Sequence, residues 1–208
     1  DALMISKKLN IKTPTTRNAK LTFSDIETAA IKLFYKNGYH RTTVGNITSE
    51  AGIAAGTFYL YFPSKLTLYK HILTTLSHNI RREIAANVSK KDTRYEKERE
   101  GIRTFLAYAK KNPEMYNIIW ESLYIDRELF REYYESFSKR YVSGLEHAVS
   151  EGEIRDLDTE IVSFVLMGIT NFVGLKIVFD LGTHKLDIDE TTDVIMEIVE
   201  KGLFKQKP

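Results

Sequence analysis

Thr42-Thr43-Val44-Gly45-Asn46-Ile47-Thr48-Ser49-Glu50-Ala51-Gly52-Ile53-Ala54-Ala55-Gly56-Thr57-Phe58-Tyr59-Leu60-Tyr61-Phe62-Pro63-Ser64-Lys65 reads as two short helices and the turn between them. Thr42 or Thr43 caps the first helix, which sets Val44, Ile47 and Ala51 on one face. Gly52 suits the turn because it takes a positive φ without steric cost. The second helix runs from about Ala54 to Tyr61. Pro63 ends it, since proline has no N–H to continue the ladder. Val44, Ile47, Ile53 and Phe58 are the apolar positions that hold the two helices at a fixed angle. This is a helix-turn-helix pattern, and its second helix can offer Ala55, Thr57 and Tyr59 to a major groove about 12 Å wide. Ser64 caps the following helix. Lys65 and that helix N-terminus can share one phosphate, and Thr43 can do the same at the start of its own helix. Tyr59 and Tyr61, two residues apart, do not share a helix face. Phe58 and Phe62 supply the core there, so the tyrosines read as nucleic-acid contacts, with core aromatics as the alternative.

Outward from this stretch the pattern stays helical. Ser24 with Glu27 matches a capping box, and Ile26, Ala29, Ala30, Leu33 and Phe34 recur at helical spacing up to Gly38. A fourth helix after Ser64 carries Leu66, Leu68, Tyr69, Ile72, Leu73, Leu76 and Ile80. Further helices are expected over Tyr95 to Lys111, from Pro113, from Asp126 to Val149, from Asp158 to Leu181, and from Asp187 or Asp189 to about Phe204. No run alternates like a strand. The fold class is all-α, about nine helices in all, with an N-terminal three-helix domain followed by a larger helical domain. The expected division is a basic arm over 1–20, the helix-turn-helix domain over 21–66 and a regulatory and dimerisation domain over 67–208.

Thr42-Thr43-Val44, Ile47, Ala51-Gly52-Ile53, Gly56-Thr57-Phe58-Tyr59, Tyr61-Phe62 and Ser64-Lys65 resemble the signature of the tetracycline-repressor (TetR) family. The resemblance covers about residues 24–70, and the rest of the chain agrees in helix number and length. It implies that Thr43, Thr57, Tyr59, Tyr61 and Lys65 fall on DNA-contact positions, along with Ala55 and Gly56 on the same helix. It also implies a ligand pocket among helices four to eight and dimerisation through the last two. Three positions depart from the pattern. Ala54 stands where a capping serine is common, Ala55 where a larger base-reading side chain is common, and Gly45 leaves another contact position without a side chain. Base readout then rests on Thr57 and Tyr59, on DNA shape, or on the arm.

Charge divides with the proposed domains. Of 30 basic and 28 acidic residues, residues 1–66 hold nine basic (Lys7, Lys8, Lys12, Arg17, Lys20, Lys32, Lys36, Arg41, Lys65) and four acidic (Asp1, Asp25, Glu27, Glu50). A basic head on a mildly acidic body suits contact with a polyanion, and chance asymmetry is the plainer alternative. The chain has no cysteine, which excludes disulfides and thiolate metal sites and fits a cytoplasmic location. The first residues lack a basic segment followed by an apolar run, so no secretory leader is expected. The uncharged stretch Ile161 to Leu175 is shorter than the roughly 20 residues of a membrane span, and a buried helix is expected there.

The C-terminal domain is rich in aromatic residues spread over several helices. For each one alone, core packing is the plainer reading. Together they can line an apolar cavity with tyrosine hydroxyls as orienting groups. The candidates for ligand contact are Trp120, Tyr124, Phe137, Tyr141 and Phe172. The helix over 158–181 is apolar nearly all round, and the one over 187–204 carries Ile188, Val194, Ile195, Ile198, Val199, Leu203 and Phe204. A two-fold four-helix bundle would bury both, with Val165 and Ile195 among the paired positions. His71 and His78 share a face but lack a third ligand, so no metal is expected, and no cofactor is implied. Glu121 and Asp126 read as surface or capping groups. No catalytic constellation stands out, and an enzyme is not expected.

The leading functional reading is a homodimeric repressor that binds a pseudo-palindromic double-stranded DNA operator and is released by a small, largely apolar effector. The alternative is an architectural DNA-binding dimer without an inducer. A third, an enzyme using the helical cavity, would need converging titratable groups.

Overall fold

The computed structural model describes residues 9–182 and 185–203. Lys7, Lys8, His184 and Phe204 therefore lie outside the described residues. Within these bounds the chain forms nine helices: α1 (Arg17–Asn37), α2 (Val44–Glu50), α3 (Ala55–Tyr61), α4 (Lys65–Val88), α5 (Arg94–Lys111), α6 (Glu114–Ile125), α7 (Arg127–Ser150), α8 (Thr159–Val178) and α9 (Ile188–Leu203). They group into two compact units. The first comprises the chain up to His78 together with Glu114–Arg131, and the second comprises Asn79–Pro113 together with the chain from Glu132 onward.

In the first unit, α1 starts earlier than the Ser24 signal suggests. Thr16 is its cap and accepts the amide of Ala19 at 3.2 Å. Asn18, Lys20 and Leu21 are exposed, so the first turns carry no apolar period for sequence reading to find. The expected basic arm is also tied down near its end. Ile11 is buried, and the Lys12 amide donates to the Tyr61 carbonyl at 3.2 Å. Ile26, Ala30, Phe34, Ile47, Phe58 and Phe62 form the core on which α2 and α3 rest. Gly52 takes φ +66 in the turn, and the Ile53 amide donates to Thr48 O at 3.0 Å.

Helix α6 is the part of this unit that arrives from far along the chain. The Glu121 carboxylate accepts the Tyr39 amide at 2.7 Å, and the Tyr69 hydroxyl donates to the Ile118 carbonyl. Asn117 donates to the Tyr35 carbonyl at 3.3 Å. Asp126 caps α7 through the amides of Glu128 and Leu129 at 3.1 and 3.2 Å, and pairs with Lys70 at 2.5 Å.

In the second unit, α5 lies against both α8 and α9. Thr93 and Glu96 cap α5 reciprocally. Arg99 pairs with Asp193 at 2.7 Å and Arg103 with Asp189 at 2.6 Å, which ties α5 to α9. Ser138 and Ser163 share a hydrogen bond at 2.8 Å between α7 and α8. α8 is 20 residues long and apolar enough to cross a membrane by length and composition, longer than the uncharged run suggested, because its ends extend past Glu160 and Lys176. Only one side of it is covered. Ser163, Leu166, Met167, Thr170 and Gly174 are buried, whereas Ile161, Phe164, Val165 and Phe172 are exposed. On α9, Ile195 is buried with Thr192, Met196, Val199 and Leu203, so it is a core residue of its own subunit rather than the interface position expected. Val194 and Ile198 face outward instead.

Gly38 makes the α1–α2 link possible. It has φ +78 and ψ 164, a region open almost only to glycine. A Cβ there would lie 2.9 Å from Glu121 Oε1. Gly38→Ala should therefore destabilise the first unit by about 1–3 kcal/mol, seen as an earlier urea transition. Gly202→Ala, where nothing lies within 4 Å of an added Cβ, should leave the transition in place.

Candidate nucleic-acid interface and effector cavity

Helix α2 begins with a reciprocal cap. The Thr43 hydroxyl accepts the Asn46 amide at 3.1 Å, and Asn46 Oδ1 accepts the Thr43 amide at 2.9 Å. Asn46 fills the place that a glutamate or glutamine takes in the usual capping box. Thr43 stays exposed beside this cap. At α3 the cap position is Ala54, and no side chain satisfies the first amides. This open end leaves backbone N–H groups of α3 without a side-chain acceptor. Of the predicted contact residues, Ala55, Gly56 and Tyr59 are exposed, Thr57 and Tyr61 are half-buried, and Phe58 between them is fully buried. Thr43, Ala55, Gly56, Thr57 and Tyr59 thus lie on or next to the helix-turn-helix surface. Tyr61 packs edge-on against Phe23 at 5.7 Å, so part of its ring supports α1.

Lys65 is placed differently from the free cation its sequence position suggested. Its ammonium donates to the carbonyls of Tyr39 and Thr42, each at 2.7 Å, and sits 4.0 Å from the centre of the Tyr39 ring. Partial burial lowers its pKa from the ordinary lysine value, and the Glu121 carboxylate acts in the opposite sense. Two of the three ammonium hydrogens are committed to the link that leads into α2, and one remains for an external acceptor. Sequence reading missed Glu121 altogether as a member of this site. Its role depends on α6 returning to the α1–α2 link, 82 residues away from Tyr39, and no local pattern carries that information. Elsewhere Lys32 is paired with Glu50, and Arg41 donates to the Asn37 carbonyl at 2.7 Å.

The second unit contains a cavity of about 370 Å³ lined by α4, α5, α7 and α8. That lies within the roughly 300–1,000 Å³ typical of small-molecule sites. Ile84, Val88, Ile102, Phe105, Leu166 and Met167 give it an apolar wall. Phe137 and Tyr141, two of the predicted ligand residues, line it. The other three do not. Trp120 and Tyr124 belong to α6 in the first unit, where Tyr124 is 83% exposed, and Phe172 is 70% exposed on the outer side of α8. Helical spacing identifies aromatic residues but not the side of each helix that faces the cavity.

Of the polar lining, tyrosine hydroxyls were expected, but the charged groups were not. Arg94 pairs with Glu98, and the Tyr141 hydroxyl donates to the same carboxylate. Burial pushes the Glu98 carboxyl upward, and the Arg94 guanidinium pulls it back. Gly144 leaves room for this pair, since a Cβ there would lie 2.9 Å from Arg94 Nη1. Burial raises the Tyr134 phenol to about 12, so it remains a neutral hydroxyl at physiological pH. Arg81, Lys97 and Arg140 complete the charged groups of the wall.

With this geometry in view, similar proteins can be compared. The family model for bacterial regulatory proteins of the tetR family matches residues 26–72, which span the helix-turn-helix and the first turns of α4. A helix-turn-helix-type transcriptional regulator of Bacillus subtilis, YhgD, is 25% identical over 181 residues, covering 84% of this chain and 93% of its own length. The fatty acid metabolism regulator protein of Bacillus subtilis is 31% identical over 74 residues, covering 34% of this chain and 38% of its own. Among solved structures, the fatty acid degradation regulator FadR from Bacillus halodurans shares the fold with a TM-score of 0.75 at 18% identity, covering 85% of this chain and 93% of that one. The helix-turn-helix sequence, the nine-helix order and these likenesses agree: residues 26–72 match the tetR family of bacterial regulatory proteins, and the described helices share the fold of its solved members.

Proposed function

We propose that the protein is a homodimeric repressor that binds a pseudo-palindromic operator and leaves it when a small, largely apolar effector enters the cavity of the second unit. The observation that carries this reading is the cavity itself. An architectural DNA-binding dimer has no use for an apolar pocket of this size away from its helix-turn-helix. The names of the fatty acid metabolism and fatty acid degradation regulators among the similar proteins favour an acyl-chain effector. Release requires the effector to bind the DNA-free arrangement better than the DNA-bound one. A thermal-shift screen with fatty acids and other apolar compounds tests the sensor role, because a ligand that binds the folded protein raises the melting temperature progressively with its concentration.

Dimerisation follows from the uncovered apolar faces. Ile161, Phe164, Val165 and Phe172 lie at helical spacing on one side of α8, and Val194 and Ile198 lie one turn apart on α9. Phe172 is therefore better assigned to this face than to the ligand. The wild-type protein should sediment at about twice the 24.0 kDa chain mass. Val165→Glu and Ile198→Glu should give folded monomers, with the helical circular dichroism of the wild type. Ile195→Glu should instead lose structure, because it puts a charge into the core. A wild-type monomer at micromolar concentration overturns the assembly.

On DNA, Thr57, Tyr59 and Lys65 should differ in kind. Thr57→Ala should weaken operator binding by about 1–3 kcal/mol and leave random DNA unchanged, as loss of a base-edge contact does. Tyr59→Phe should cost about 1 kcal/mol on both duplexes through one hydroxyl. Lys65→Ala should weaken both and lower the salt slope by about one unit. It should also lower the melting temperature, because the carbonyls of Tyr39 and Thr42 lose their donor. Fluorescence anisotropy on operator and scrambled duplexes at several salt concentrations measures all three. Wild-type affinity in every variant would remove α3 as the reading element.

A further inference from the structure

The charge on the cavity wall is inconsistent with a purely apolar ligand. Four cationic side chains line it, Arg81, Arg94, Lys97 and Arg140, against one carboxylate, Glu98. Glu98 is taken, since it pairs with Arg94 and accepts the Tyr141 hydroxyl. Arg81, Lys97 and Arg140 form no ion pair among the described residues, which leaves three lining cations, on α4, α5 and α7, without a carboxylate partner. Two of them are gathered at one place. The Arg81 guanidinium donates to Ser136 Oγ and lies 5.4 Å from the centre of the Phe137 ring. Arg140 follows Ser136 by four residues on α7, so it occupies the same helix face one turn on. Burial lowers the pKa of Arg81, and repulsion by the Arg140 guanidinium lowers it further. A pair of like charges beside an apolar pocket is unfavourable by itself and becomes favourable when an anion bridges it.

We propose that the effector is an anionic amphiphile whose oxyanion is bound by Arg81 and Arg140 while its apolar chain fills the cavity among Ile84, Val88, Ile102 and Phe105. This rests on the sensor reading above and specifies its ligand class. The oxyanion can be the carboxylate of a free acid or the phosphate of a conjugate, and both meet a guanidinium pair in the same way. The Arg94–Glu98–Tyr141 group is charge-balanced, so it favours no second charge on the ligand.

The test is direct binding to the full-length protein by calorimetry, with dodecanoate, dodecyl phosphate, dodecanoyl-coenzyme A, dodecanol and dodecyltrimethylammonium as probes. The anions should bind about tenfold or more tightly than the alcohol, and the cation weakest. Arg140→Gln, at an exposed position, and Arg81→Gln should each narrow the gap in affinity between the anions and dodecanol. Arg81→Lys should retain part of the preference. Arg82→Gln, an exposed arginine outside the cavity lining, should retain all of it. Preference for dodecanoate or for a phosphate-bearing probe identifies the source of the oxyanion. Equal affinity for dodecanol and the anions, or a preference that survives loss of both arginines, overturns the proposal and leaves an apolar sensor standing. Failure of every probe to bind overturns the sensor reading as well, and the thermal-shift screen reports that failure independently.

Discussion

The Lys65 ammonium between two backbone carbonyls is the contact on which the head of this protein depends. Tyr39 and Thr42 lie in the short link from α1 to α2, and Lys65 is the first residue of α4. A half-buried cation is tolerated there because it makes two charge-assisted hydrogen bonds and lies against the Tyr39 ring. The Tyr39 amide is held from the other side by Glu121. Gly38 supplies the backbone conformation that lets both contacts form at once. Thr43 follows immediately and starts α2 with its reciprocal cap. The position of α2 is therefore set by a polar clamp as well as by the apolar contacts of Ile47 and Phe58.

The clamp joins segments that are distant in sequence. α6 contributes Glu121 and the Ile118 carbonyl, and α4 contributes Lys65 and Tyr69. α6 and the part of α4 up to His78 belong to the first unit, and both lead along the chain to residues that line the cavity of the second. α4 continues to Arg81, Ile84 and Val88, and α6 follows the Asn112–Pro113 break at the end of α5, which carries Ile102 and Phe105. A change in either helix reaches Tyr39 through a hydrogen bond rather than through a diffuse apolar contact.

The order of helices was legible in the sequence because capping residues, helix stops and the 3.6-residue period are local signals. Thr43, Gly52, Pro63, Asp126 and Asp158 each act where their chemistry suggests. What failed was the choice of face. α9 carries one wide apolar arc, and its division into an inner side with Ile195 and an outer side with Val194 and Ile198 depends on where α5 lies. Trp120, Tyr124 and Phe172 were grouped with Phe137 and Tyr141 for the same reason, since composition gives aromatic content without direction. The inward turn of Lys65 and the reach of Glu121 were beyond sequence reading because their partners are backbone groups, which have no sequence signature. The N-terminal start of α1 was hidden because its first turn, with Arg17, Asn18 and Lys20, is polar and exposed.

The uncompensated cations of the cavity bear on stability as well as on selectivity. Core arginines are normally neutralised by carboxylates, as Arg94 is by Glu98. At Arg81 a hydroxyl and an aromatic face replace the carboxylate. These partners satisfy the geometry of the guanidinium without cancelling its charge. An acid at Ser136 would neutralise it and stabilise the empty unit, but it would also remove the site for an external anion. Under the proposed binding mode, the charge of Arg81 carries an electrostatic cost that a bound oxyanion would offset. Such binding energy shifts an equilibrium only to the extent that the oxyanion is held better in the DNA-free arrangement than in the DNA-bound one.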